Sequence, residues 1–81
     1  MKFQMLDVVR IISQLPEGRV DPAFGDGAEP LIGDVGTVVH MTACSPDRPP
    51  AFLVESIGPE GGVRWLADIY QSELELVSSG P

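Results

Sequence analysis

Glycine and proline interrupt this chain so often that long helices have little room: nine glycines and eight prolines stand among 81 residues. Both break regular backbone, proline by lacking an N–H and glycine through its conformational freedom. What remains is a set of short apolar runs bounded by turns, the pattern of an all-β domain. The length corresponds to one domain, 1–81. A chain of this size hides only about 60–65% of its unfolded surface, so its core is thin. Apolar residues at 43% and charged residues at 21% are ordinary globular usage, which argues against wholesale disorder.

Five strands are expected. Val8, Val9, Ile11 and Ile12 favour a first strand over about 6–12. A helix carrying Leu6, Val9 and Ile12 on one side is the alternative, disfavoured because β-branched side chains lose rotamer freedom in helices. A connection over about 13–32 follows, with no period of either kind, and loops of that length are commonly functional. Leu15, Val20, Phe24 and Leu31 are its apolar anchors. Gly33-Asp34 is a turn dipeptide that opens a second strand, and Gly36 sits where a side chain would obstruct a bulge or a neighbouring backbone. Alternation then places Val38 and His40 on one side, with Thr37, Val39 and Met41 on the other.

A proline-rich turn at Cys44–Pro50 leads into a third strand, Ala51–Ile57. The Gly-rich connection Gly58–Gly62 has hairpin chemistry and precedes a fourth strand, Val63–Ile69. Tyr70–Glu73 reads as one helical turn, Leu74–Val77 as a short closing strand, and 78–81 as a frayed tail. An open sheet of this size would leave two bare edges, which invites aggregation, so closure is expected. The expected architecture is a small five-stranded SH3-like barrel with a long first loop and a single helical turn before the last strand.

The segments LDVVRI, GDVGTVVH, FLVESI and ELELV resemble, in that order, the uncharacterised bacterial family called domain of unknown function 4926. The likeness covers most of Leu6–Val77 and implies an SH3-like barrel. Its most specific piece, Gly33–Val39, is also similar to the KOW element of ribosomal and transcription-elongation proteins, and it recurs in the β subunit of nitrile hydratase. This chain departs from the family pattern in a longer 13–32 connection and in extra proline at Cys44–Pro50. The resemblance implies no activity, substrate or catalytic residue.

No catalytic constellation stands out. His40 and Cys44 are the sole residues of their kinds, and on an extended path they would lie roughly 12–14 Å apart, beyond the reach of a dyad. A single cysteine excludes an internal disulfide, and the scattered carboxylates lack any recognised metal-ligand spacing. Asp34 has the structural role of a turn residue that bonds its own backbone. Asp68 and Glu73 flank the helical turn as caps, while Glu73 and Glu75 are expected to point outward into solvent. Gly58–Gly62 lacks the lysine and the strand-to-helix step of a phosphate cradle. No catalytic, cofactor or metal residue is therefore expected, and no enzymatic activity.

Twelve acidic against five basic side chains give a net charge of −7, which repels phosphate backbones and anionic lipid. No run of 18 apolar residues occurs, so no membrane span is expected. Asp7 and Arg10 interrupt any signal-peptide core, and a lone cysteine suits a reducing compartment, so the expected location is cytoplasmic. Trp65 shares a strand face with Val63, Ala67 and Ile69 and is expected in the core. Leu66 faces the other way, and with Leu53 or Ile57 it would form an exposed apolar patch suited to an interface. The expected function is a non-enzymatic protein-interaction module, binding an unidentified protein or itself through Phe24, Leu53, Ile57, Leu66 and Tyr70. Gly33, Asp34 and Gly36 are its structural turn or bulge residues. The alternative is a KOW-like nucleic-acid-binding domain, with Trp65 or Tyr70 as a stacking platform.

Overall fold

The computed structural model describes residues 3–23, 25, 27–41 and 50–80. The described chain is all-β: β1 Val8–Ile11, β2 Val35–Met41, β3 Ala51–Ile57, β4 Val63–Tyr70 and β5 Leu74–Ser78, with a 3-10 turn at Gln71–Glu73. All pairings are antiparallel, in one open sheet of order β4-β3-β2-β1-β5. The helical alternative for 6–12 does not occur. Except for Pro50, the proline turn expected at Cys44–Pro50 lies outside the described residues. Among the described residues no helix is long and apolar enough to cross a membrane.

One connection dictates the shape of the sheet. β4 and β5 are its two outer strands, yet only Gln71–Glu73 joins them. In a flat sheet the outer strands would lie four spacings apart, about 19 Å. The four Cα steps from Tyr70 to Leu74 reach at most about 14 Å. The sheet therefore curls, and three β-bulges assist by bending the strands they interrupt. The register shifts lie between Val38 and His40 on β2, between Ser56 and Ile57 where β3 meets β4, and between Val8 and Val9 where β1 meets β5.

Curling concentrates one face into the core: Val9, Ile11, Val38, Val54, Trp65 and Ile69 are almost wholly removed from solvent. Phe3 and Phe52 close the interior with an edge-to-face contact at 5.3 Å. Leu15, Val20 and Ala28 from the 13–32 connection pack against the same core. Trp65 is fully buried and donates its indole N–H to Asp34 Oδ2 at 3.3 Å. The same oxygen accepts Leu31 N at 3.0 Å, so Asp34 pins the 31–34 turn and satisfies the tryptophan. Gly33 takes φ 96° in that turn, a left-handed conformation that favours glycine.

Three expectations need correction. The first strand starts at Val8, because Gln4–Asp7 forms a turn closed by Asp7 N to Gln4 O at 3.1 Å, with Leu6 held at φ 70°. The bulge at Val39 reverses the alternation, so Val38 is buried while His40 pairs with Leu53 and is exposed. The 13–32 connection packs down through its apolar anchors Leu15 and Val20, as expected: Val20 bridges Ala67, flanked by Asp21 N to Leu66 O at 2.8 Å and Asp68 N to Arg19 O at 2.9 Å. These bonds cover part of the outer edge of β4, the usual remedy for an exposed strand. Finally, the tail does not fray through 78–80: Ser78 belongs to β5, and Gly80 N bonds Asp7 Oδ1 at 2.9 Å.

Gly36 is buried on the core face of β2, where an added Cβ would lie 2.6 Å from Val54 Cγ1 and 2.9 Å from Glu55 O. Its role is close backbone approach between β2 and β3, and the second contact is with main chain that cannot swing aside. Gly36→Val is expected to destabilise the fold by about 2 kcal/mol or more, as overpacking does. Chemical denaturation would measure this, and an unchanged midpoint would contradict the close approach.

Asp7 is buried and accepts Gln4 N at 2.8 Å as well as Gly80 N. The Gly80 and Gln4 N–H groups hold its carboxyl below the ordinary 3.8, against the opposing effect of desolvation. A depressed native pKa contributes stability above the unfolded value, and that stability is lost as pH falls through the native value. The midpoint difference between wild type and Asp7→Asn is thus expected to be largest above about pH 5 and to shrink on acidification. Thermal melts of both proteins across that range check it.

Candidate functional site

The residues expected to form a binding patch do not come together as one. Phe24 lies outside the described residues. Leu53 is half-buried on the outer face of β3, opposite His40 and Asp68. Ile57 is half-exposed at the end of β3, opposite Val63. Leu66 was expected exposed and is instead buried, set between Glu55 on β3 and the Arg19–Asp21 segment that lines its other side. The outer face of β3 and β4 therefore alternates leucine with carboxylate and offers no continuous apolar patch around Leu66.

Tyr70 is half-buried beneath Arg19, whose guanidinium carbon lies 4.2 Å from the ring centroid. Arg19 also makes a forked pair with Glu73, at 2.9 Å to Oε1 and 3.2 Å to Oε2, and donates to Asp68 O at 3.0 Å. Glu73 Oε1 in turn accepts Tyr70 N at 2.8 Å, reaching back as a cap. The expectation that Glu73 points into solvent is corrected: it sits in the 3-10 turn, and its side chain is 12% exposed against 17% for Arg19. Planar guanidinium, aromatic face and carboxylate match in geometry, which suits arginine and not lysine. This cluster is a fastener at the junction of the loop, β4 and β5, and it consumes Tyr70 as a ligand platform.

The basic residues are mostly engaged. Arg10 pairs with Glu75 at 3.1 Å on the surface, a contact worth little in water. Arg64 lies along the Gly58–Gly62 hairpin, its Cγ 3.3 Å from where a Gly58 Cβ would stand. Lys2 and Arg48 fall outside the described residues. Among the described residues, no group of three or more His, Cys, Asp or Glu is placed to hold a metal ion.

A groove of about 510 Å³ runs along the connection, lined by residues between Gln14 and Pro30. Leu15, Val20, Ala28 and the buried Pro30 supply apolar surface, and Glu17, Asp21 and Glu29 supply carboxylates. Asp21 Oδ1 is steadied by Ala23 N at 2.9 Å. Gly25 brings the connection against β4 so closely that a Cβ there would lie 2.5 Å from Arg64 O. Sequence reading pointed to this connection through its length and apolar anchors, but its groove arises from contacts with a strand some 45 positions later.

A second exposed apolar set lies at one end of the sheet. Ile12, Leu31, Ile32 and Val35 are 42–61% exposed. Gly33 N to Ile11 O at 2.8 Å and Ile11 N to Asp34 O at 2.9 Å place the 31–34 turn beside the end of β1. Exposed aliphatic surface of this kind emerged where the turn meets β1 rather than around Leu66.

Arg19→Ala is expected to destabilise by about 3 kcal/mol, because it leaves the Glu73 carboxylate largely desolvated without its counter-ion. Arg19→Ala with Glu73→Ala should cost less than the sum of the two single changes, since the pair acts as a unit. Denaturant titrations of the four proteins test both statements.

Compared with known proteins, the chain matches no family model, no curated protein and no solved structure.

Proposed function

We propose that this chain is a non-enzymatic protein-interaction module built on a small SH3-like barrel, in keeping with its resemblance to the domain of unknown function 4926 family. Several features support the barrel reading. Four strands run as a meander, the fifth returns to pair with the first, and a 3-10 turn makes the crossing. The long connection between β1 and β2 occupies the place of the first loop in that architecture. Domains of this kind grip extended peptides between loops.

The observation that carries the functional reading is the groove along the 13–32 connection. Its volume of about 510 Å³ falls in the usual range for sites that take a discrete ligand. The connection is anchored midway, by Arg19 on Glu73 and by the next residue, Val20, on Ala67. Anchoring keeps the recess formed before a partner arrives, which lowers the ordering cost of association.

A tagged pull-down, run with and without nuclease, tests this reading. The expected result is a discrete protein that survives nuclease with wild type and is lost with Pro16→Trp, which places a bulky ring at the exposed rim of the groove. The melting temperature of that variant should stay close to wild type. Loss of all partners on nuclease treatment would instead favour a KOW-like nucleic-acid binder.

A further inference from the structure

We propose that the groove receives an extended, arginine- or lysine-bearing segment of a partner protein. The inference rests on the interaction-module reading and adds the chemistry of the partner. Three features of the groove converge on it.

The first is uncompensated charge. Residues 13–32 contain Glu17, Asp21, Asp26 and Glu29 but only one cation, Arg19. Arg19 is turned onto Tyr70, Asp68 and Glu73 and does not line the groove. Glu17, Asp21 and Glu29 do line it, so the recess is acidic with no counter-ion of its own among its described lining residues. The net charge of −7 extends that field outward and steers cations inward.

The second is the apolar part of the lining. Leu15, Val20, Ala28 and Pro30 lie alongside the carboxylates. Lysine and arginine are the side chains that combine an aliphatic stem with a cationic head, laying one on apolar surface while the other meets a charge. A small hydrated metal ion would have no use for such a surface.

The third is the balance of donors and acceptors. Pro16, Pro22 and Pro30 are among the lining residues and have no backbone N–H to donate. Together with the carboxylates, which only accept, they lower the share of donors among the lining residues. A guanidinium has five donors and no acceptor, and pairs with carboxylate in a forked geometry. The size of the groove exceeds one side chain, which suits a segment of several residues.

The test uses the whole chain and a fluorescent hexapeptide, Gly-Leu-Arg-Pro-Arg-Gly, followed by anisotropy. Its companions are the same peptide with citrulline in place of arginine, and free N-acetyl-arginine amide. Binding of the arginine peptide is expected to be at least about tenfold tighter than of either companion, a difference of about 1.4 kcal/mol. Amide chemical shifts should move mainly within 14–30 and the facing β4 residues. Glu17→Gln with Glu29→Gln should weaken binding about tenfold and leave the melt unchanged, whereas Glu55→Gln with Glu60→Gln, equal in charge change, should not weaken it.

Equal binding of the citrulline peptide, or equal loss with the two double variants, would overturn the proposal in favour of non-specific attraction. Equal binding of the free amide would overturn the peptide segment as occupant. No binding of the arginine peptide, with groove-dependent and nuclease-resistant capture intact, would overturn the cationic partner alone and leave the module reading standing.

Discussion

The short crossing from β4 to β5 is the constraint on which the rest depends. Three residues cannot join the two margins of a flat five-stranded sheet, so the backbone has to wrap. Wrapping gives a thin chain a single interior, and it explains how side chains from all five strands reach a core that also takes Phe3. It also determines where the long connection can go. With the inner face filled, residues 13–32 run past the outer margin of β4, where their backbone groups find partners in Leu66 and Asp68. Arg19 sits where that path meets the crossing, and this is why one guanidinium contacts β4, Tyr70 and the 3-10 turn together.

Local chemistry made much of this architecture readable in advance. Ala51–Ile57 is found as expected, and the fourth strand, the turn and the last strand differ by about a residue at their ends. They were legible because alternation and β-branching act over a few neighbouring positions. The bulges were not. Nothing about Val39 in isolation announces that it will be the unpaired residue, yet that one insertion decides that His40 meets solvent. The fate of Leu66 was equally hidden, since alternation predicts a face but not what the other side of that face will meet. The contacts that position the groove and bind Arg19 to Glu73 link residues about 50 positions apart, and no local pattern encodes such a pairing.

Electrostatics and packing divide the labour unusually here. Arg10 pairs with a surface carboxylate and Arg19 with a largely buried one, and Asp34 and Asp7 serve as acceptors for N–H groups that would otherwise be unsatisfied. Among the described residues no buried side-chain nitrogen or oxygen lacks a partner, so the interior is settled. The excess acid remains on the surface, where its solvation costs nothing. With the buried carboxylates engaged inside, the surface field is left to act on other molecules.

The inner place of β1, between β2 and β5, bears on how the molecule comes into being. This four-residue strand is paired on one side by β2 and on the other by β5, some 65 positions away. Closing so distant a loop carries a substantial entropic cost before any contact repays it, and folds dominated by such pairings assemble slowly. During synthesis, β2, β3 and β4 can zip together as a meander, but the second margin of β1 waits bare until β5 has emerged. The nascent chain therefore passes through a stage in which β1 is an outer strand with one edge unpaired. That stage, rather than the finished molecule, is where a chaperone would find something to hold.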